Sequence, residues 1–113
     1  AGFCDDKDVA GFMRNLGGQV RRGWAVTTPS PRTLAAAATA GMMRRAGIEA
    51  QEAESLAAAL AAGERWAAGE KGLLLVCGSL FLAGAALQHY NAYPWPAGSR
   101  PPDPNEQMRG EAP

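Results

Sequence analysis

Gly78-Ser79 is the dipeptide in this chain best placed to do chemistry. A glycine lets the backbone turn tightly, and the serine then stands at the amino terminus of the helical pattern that begins at Leu80. There the free N–H groups and the hydroxyl can all donate to one anion, and a substrate carboxylate suits the place. Helix capping by itself also accounts for a serine at that position. Lys7, flanked by Asp6 and Asp8 at a strand–helix junction, offers an ammonium to a carboxylate or phosphate on the same edge. A solvated lysine loosely paired with its acidic neighbours accounts for it as well.

The other chemically capable residues carry less. Arg32 closes Thr28-Pro29-Ser30-Pro31-Arg32, and the start of a helix explains every residue of that motif. His89 is the only histidine, which excludes a His-based metal cluster, and the distant Cys4 and Cys77 lack zinc spacing. No metal site is expected. There is no G-x-S-x-G, no G-x-x-x-x-G-K-[ST] and no G-x-G-x-x-G. The chain therefore shows neither a nucleophile–base pair nor a phosphate cradle, and no catalytic residue is assigned.

The elements that must position Lys7 and Ser79 follow from periodicity. Val9, Phe12, Met13 and Leu16 recur at spacings of three and four, which predicts a helix N-capped by Asp8 and stopped by Gly17-Gly18. Residues 23–28, rich in aromatic and β-branched types and closed by Pro29, read as a strand. Ser30-Pro31 then reads as N-cap and first turn of an alanine-rich helix running to about Arg45. Residues 48–52 are a short strand candidate, and a second alanine-rich helix spans Leu56 to about Ala67. Leu73-Leu74-Leu75-Val76-Cys77 has no alternation, as expected for a strand buried on both faces of a parallel sheet. Leu80 to about Tyr90 returns as a helix.

Strict alternation of helix and strand predicts an α/β, Rossmann-like three-layer domain with a mostly parallel sheet. Ala1-Gly2-Phe3-Cys4 reads as the end of a strand whose first part is missing, in a chain cut from something longer. Residues 1–92 form the domain, and the proline-rich residues 93–113 read as a disordered tail. In an open parallel sheet, ligands bind beyond the carboxyl ends of the strands. Residues 4–8, 27–32 and 77–80 lie on that edge.

Composition narrows the partners. With 113 residues the chain holds one domain and one core. Eleven basic residues balance eleven acidic ones, so no electrostatic footprint points to nucleic acid or an acidic membrane surface. The uncharged run at residues 72–87 falls short of a bilayer span and is broken by Gly78-Ser79, so no membrane association is expected. The two cysteines read as reduced thiols of a cytoplasmic protein.

Three segments carry a resemblance. Asp6-Lys7-Asp8 before a short helix, Thr27-Thr28-Pro29-Ser30-Pro31-Arg32, and Val76-Cys77-Gly78-Ser79-Leu80-Phe81-Leu82-Ala83-Gly84 stand in this order. They are similar to the D-K-D, T-x-P-x-x-R and V-x-G-S-L-[YF]-L-x-G landmarks of the folylpolyglutamate synthase/dihydrofolate synthase family, in the Mur ligase superfamily. The likeness covers Asp6 to about Tyr90. It implies the carboxyl-terminal, glutamate ligase domain of an enzyme that uses ATP and Mg2+ to activate a folate or dihydropteroate carboxylate. Glutamate then attacks the acyl phosphate.

On that resemblance, Lys7 and Ser79 bind the glutamate carboxylate. ATP and Mg2+ are held mainly by the preceding ATPase domain of the same protein, so this lobe alone is inactive. The family's D-G-A-H-N-P segment is absent from this chain, and Ala85 stands where an acidic residue is common. The competing expectation is a stand-alone, non-catalytic α/β binding or interaction module.

Overall fold

The computed structural model describes residues 1–5 and 7–91, so Asp6 and the tail expected over residues 93–113 lie outside the described residues. The chain runs α1 (Val9–Leu16), β1 (Arg22–Ala25), α2 (Ala36–Arg45), β2 (Glu49–Glu52), α3 (Leu56–Glu70) and α4 (Leu80–His89). This is a mixed α/β fold. Its sheet consists of β1 and β2, paired in parallel with Arg22 opposite Glu49 and Ala25 opposite Glu52.

β1 is the spine. Its side chains alternate, as strand geometry requires. Ala25 joins Phe3, Val9, Met13, Ala40, Met43 and Ile48 in a cluster built with α1 and α2. Trp24 and Val26 point the other way, into a cluster with Ala59 of α3 and Leu82 of α4. Val26 and Thr28, just past β1, are also buried.

α1 has the bounds expected of it, and the Asp8 carboxylate accepts from the Gly11 N–H at 3.0 Å. Phe12, expected on the buried face, is 39% exposed and meets the Phe3 ring edge-to-face at 5.3 Å. α3 and α4 start at serine caps: Ser55 accepts from Ala58 N–H, and Ser79 from Phe81 and Leu82 N–H.

Two expectations are corrected. The helix read from Ser30-Pro31 begins at Ala36 instead, and Ala35 caps it without a side-chain hydrogen bond. The backbone before it is engaged elsewhere: Asp5 N–H donates to Arg32 O, and Leu34 N–H donates to Phe3 O, both at 2.8 Å. Cys4 and Thr33 form an antiparallel bridge. A segment held in such a bridge cannot adopt helical φ/ψ, so the helix waits until it is released.

The second correction is the apolar run at residues 73–77. It forms no strand, and Leu73 is 99% and Leu75 60% exposed rather than buried on both faces. Cys77 O accepts from Gly2 N–H at 3.3 Å, and residues 73–76 make no other backbone hydrogen bond among the described residues. Hydrophobicity alone does not make a strand where the backbone has no partner. Among the described residues, no helix is long and apolar enough to cross a membrane.

Candidate functional site

The site grows from the point where residues 1–4 run beside β1. Three loops border it and make up the candidate rim: residues 4–5 with Lys7, residues 28–33, and residues 77–79, which approach through Gly2 and Phe3. The first two are laced together. Thr28 N–H donates to Thr33 Oγ1 at 2.7 Å, and the Thr33 hydroxyl donates to Leu34 O at 3.1 Å. Cys4 Sγ lies 3.9 Å from Thr28 Oγ1. Arg32 reaches across to Asp5, with Nε donating at 3.1 Å and Nη2 at 3.0 Å from the same Oδ1. Both side chains are solvent-exposed, so the pair fixes geometry more than it stabilises.

Gly78 brings in the third loop. Its φ is +107°, and a Cβ there would meet Gly2 O and the Phe3 ring. Only a residue without a side chain can take that turn so close to residues 2 and 3. The chain then enters α4. Ser79 Oγ accepts from Phe81 N–H at 3.1 Å and Leu82 N–H at 3.4 Å, while Ala83 N–H bonds to Ser79 O. Ser79 is therefore an N-cap, as the capping expectation held. Its hydroxyl hydrogen and the Leu80 N–H remain for an external acceptor among the described residues.

Lys7 follows the same strand end. Its backbone N–H donates to Cys4 O at 3.3 Å and its carbonyl accepts from Val9 N–H at 3.0 Å, closing the turn into α1. The side chain is exposed and makes no hydrogen bond or ion pair with the described residues. Lys7 and Ser79 thus follow Cys4 and Cys77 in two of these loops, and no bond joins them.

What the rim can do is limited by its donors. It offers an ammonium, a guanidinium already engaged by Asp5, a serine hydroxyl and a helix start, each of which suits a carboxylate. No group of three or more His, Cys, Asp or Glu among the described residues could hold a metal ion. The Mg2+ that the family resemblance implies does not fit these residues. His89 is exposed and packs edge-to-face on Tyr90 at 5.0 Å, with no functional neighbour.

Arg32 was legible only as part of a helix start; its pairing with Asp5 spans 27 residues and has no local signal. Burial raises the Cys77 thiol above its ordinary value, with the charge of the Ala1 amine acting in the opposite direction. It marks how closely Ala1 and Cys77 approach, beneath the rim. A second feature lies there too: a cavity of about 330 Å³ between β1 and residues 73–76, walled by apolar side chains from both clusters. The buried Trp24 beside it has an indole N–H with no partner among the described residues.

A scan against family models and searches of curated proteins and of solved structures found no match.

Proposed function

We propose that this chain is the carboxyl-terminal lobe of an ATP-dependent ligase that adds L-glutamate to (tetrahydro)folate or dihydropteroate, and that its rim receives the glutamate carboxylate. The observation that supports this reading is that residues 4–5 bond to residues 28–33 while residues 77–78 close on Gly2 and Phe3 of the same segment, near the segments on which the family resemblance rests. In the same reading the sheet and its flanking helices belong to a Rossmann-like three-layer domain of a cytoplasmic enzyme.

The roles divide simply. Ser79 and the Leu80 N–H donate to a carboxylate oxygen, and the amino end of α4 adds its partial positive charge. Lys7 supplies the counter-charge. Held this way, the glutamate amine is free to attack an acyl phosphate generated in the preceding ATPase domain, which binds ATP and Mg2+. The new C–N bond forms as phosphate leaves. Nothing in this lobe needs to ionise.

A stand-alone module must keep Leu73, Leu75, Leu80 and Phe81 in water at 99%, 60%, 90% and 59% exposure. So continuous an apolar run is a docking face, which favours a lobe over a free-standing domain. In the ligase carrying this lobe, Ser79→Ala raises KM for glutamate about tenfold, the loss of one charge-assisted hydrogen bond, and leaves KM for ATP in place. A change confined to ATP would reduce Ser79 to a cap.

A further inference from the structure

Parity along β1 decides which of its residues serve each edge. Glu49 N–H donates to Arg21 O at 3.2 Å and Ala53 N–H to Ala25 O at 2.9 Å, so the odd-numbered residues face β2. The even-numbered ones face away. On that side the Ala1 amine donates to Trp24 O at 2.7 Å, and Val26 N–H donates to Ala1 O at 3.0 Å. One residue bonded to two that are spaced two apart is the pattern of parallel pairing. Gly2 then turns its N–H to the opposite side and donates to Cys77 O at 3.3 Å. A single strand's width therefore separates β1 from residues 73–77.

Going back from Ala1, that gap continues as the cavity of about 330 Å³. Arg22 and Trp24 turn backbone groups toward it from one wall. From the other, residues 73–76 present a backbone with no hydrogen-bond partner among the described residues. Its floor and roof are apolar: Met43 and Ile48 on one side, Leu60 and Trp66 on the other. One unpaired strand edge and one backbone segment without partners, a strand's width apart at Cys77 and with apolar side chains on both sides, make a slot for backbone rather than for a small molecule.

We propose that this slot is a strand-acceptor site, filled by an extended apolar segment that continues from the Ala1 nitrogen and runs parallel to β1. Beside Arg22 and Trp24 it takes about four residues at roughly 3.3 Å each. Both faces of that segment are buried, so its chemistry is Val, Ile, Leu or Phe without proline. Continuity with Ala1 follows from the end of the slot. A separate peptide would set a carboxyl terminus inside an apolar cavity, whereas a peptide bond makes the Ala1 nitrogen an uncharged N–H that keeps its bond to Trp24 O. Burial already lowers that amine below its ordinary value, opposed by Cys77. The inference does not rest on the ligase reading.

The test compares the 113-residue chain with the same chain extended at Ala1 by Val-Val-Leu-Val-Val, and by a control extension with prolines at the second and fourth positions. The expected result is a monomer with a higher melting temperature and amide exchange slowed roughly tenfold or more at Arg22, Trp24 and residues 73–76. The proline control leaves all of these at the parent's values. If both extensions behave alike, or the apolar one leaves exchange unchanged, the slot does not accept a strand. If the extended chain dimerises by exchanging its strand, or only free acetyl-Val-Val-Leu-Val-Val-amide protects those amides, continuity with Ala1 is overturned.

Discussion

The two faces of β1 are built from similar residues and end in different states. Toward α1 and α2, Phe3, Val9, Met13, Met43 and Ile48 are all at most 3% exposed. Toward α3 and α4, Leu60 and Leu82 are as deeply buried, yet Leu73, Leu75, Leu80 and Phe81 nearby stand in solvent. The difference lies in the backbone beside each group. On the first face β1 pairs with β2 and residues 3–5 bond to residues 32–34, whereas residues 73–76 make no backbone hydrogen bond among the described residues. Apolar side chains are buried only as far as the backbone that carries them is paired.

That contrast is sharpest in two truncations. Met13→Ala removes a side chain that is 1% exposed and costs about 2–5 kcal/mol in denaturant unfolding. Leu73→Ala, at 99% exposure, changes stability by no more than about 0.5 kcal/mol. Equal losses at the two positions would mean that residues 73–76 are packed in solution, and the comparison would collapse.

The legibility of the chain follows the same division. α1 is readable because its start, stop and apolar stripe are all local: Asp8, Gly17 and the spacing of Val9, Met13 and Leu16. α4 and the cap at Ser79 are readable for that reason too. The start of α2 is not, because what holds residues 32–34 out of the helix is bonding to residues 3–5, about thirty positions away and without a sequence signature. Residues 73–77 mislead in the opposite sense: their composition specifies a buried strand, and burial depends on a neighbour that composition cannot show. Of the site, the identities of Lys7 and Ser79 come from the sequence, while the lacing of Asp5 to Arg32 is tertiary.

The junction between the two faces gives the next effect. Gly78→Ala places a Cβ at φ +107° against Gly2 O and the Phe3 ring. The backbone term alone costs about 1–3 kcal/mol, and displacing Phe3 adds to it. Thermal melts measure the loss, which should exceed that of Gly84→Ala, where a Cβ meets nothing within 4 Å. If the two glycines prove alike, the close approach that brings residues 77–79 to the rim is not present in solution.

The smallest effect is on pH dependence, and it reads the seam beside the slot. Burial lowers the Ala1 amine from its ordinary 8.0, so the unfolded chain binds that proton more tightly. Stability therefore rises as pH climbs through the folded value to about 8, and is lost as pH falls back through it. Cys77 is raised from its ordinary 9.0 by burial, so its contribution is present below that value and is lost as pH rises through the folded one. The 113-residue chain should be most stable between these limits as far as these two groups decide it. Amino-terminal acetylation should remove the lower slope and leave the upper, as followed by melting temperature against pH; an unchanged lower slope would place Ala1 in solvent.

The rim is the proposed carboxylate site, and titration of the isotopically labelled chain with L-glutamate addresses it without any partner domain. Saturable shifts of the Lys7, Leu80 and Phe81 amides are expected, weakened in Ser79→Ala and absent with glutamine-derived amides that lack an α-carboxylate. Shifts that are linear in ligand, or that persist unchanged in Ser79→Ala, would contradict the assignment of the start of α4 as the carboxylate site.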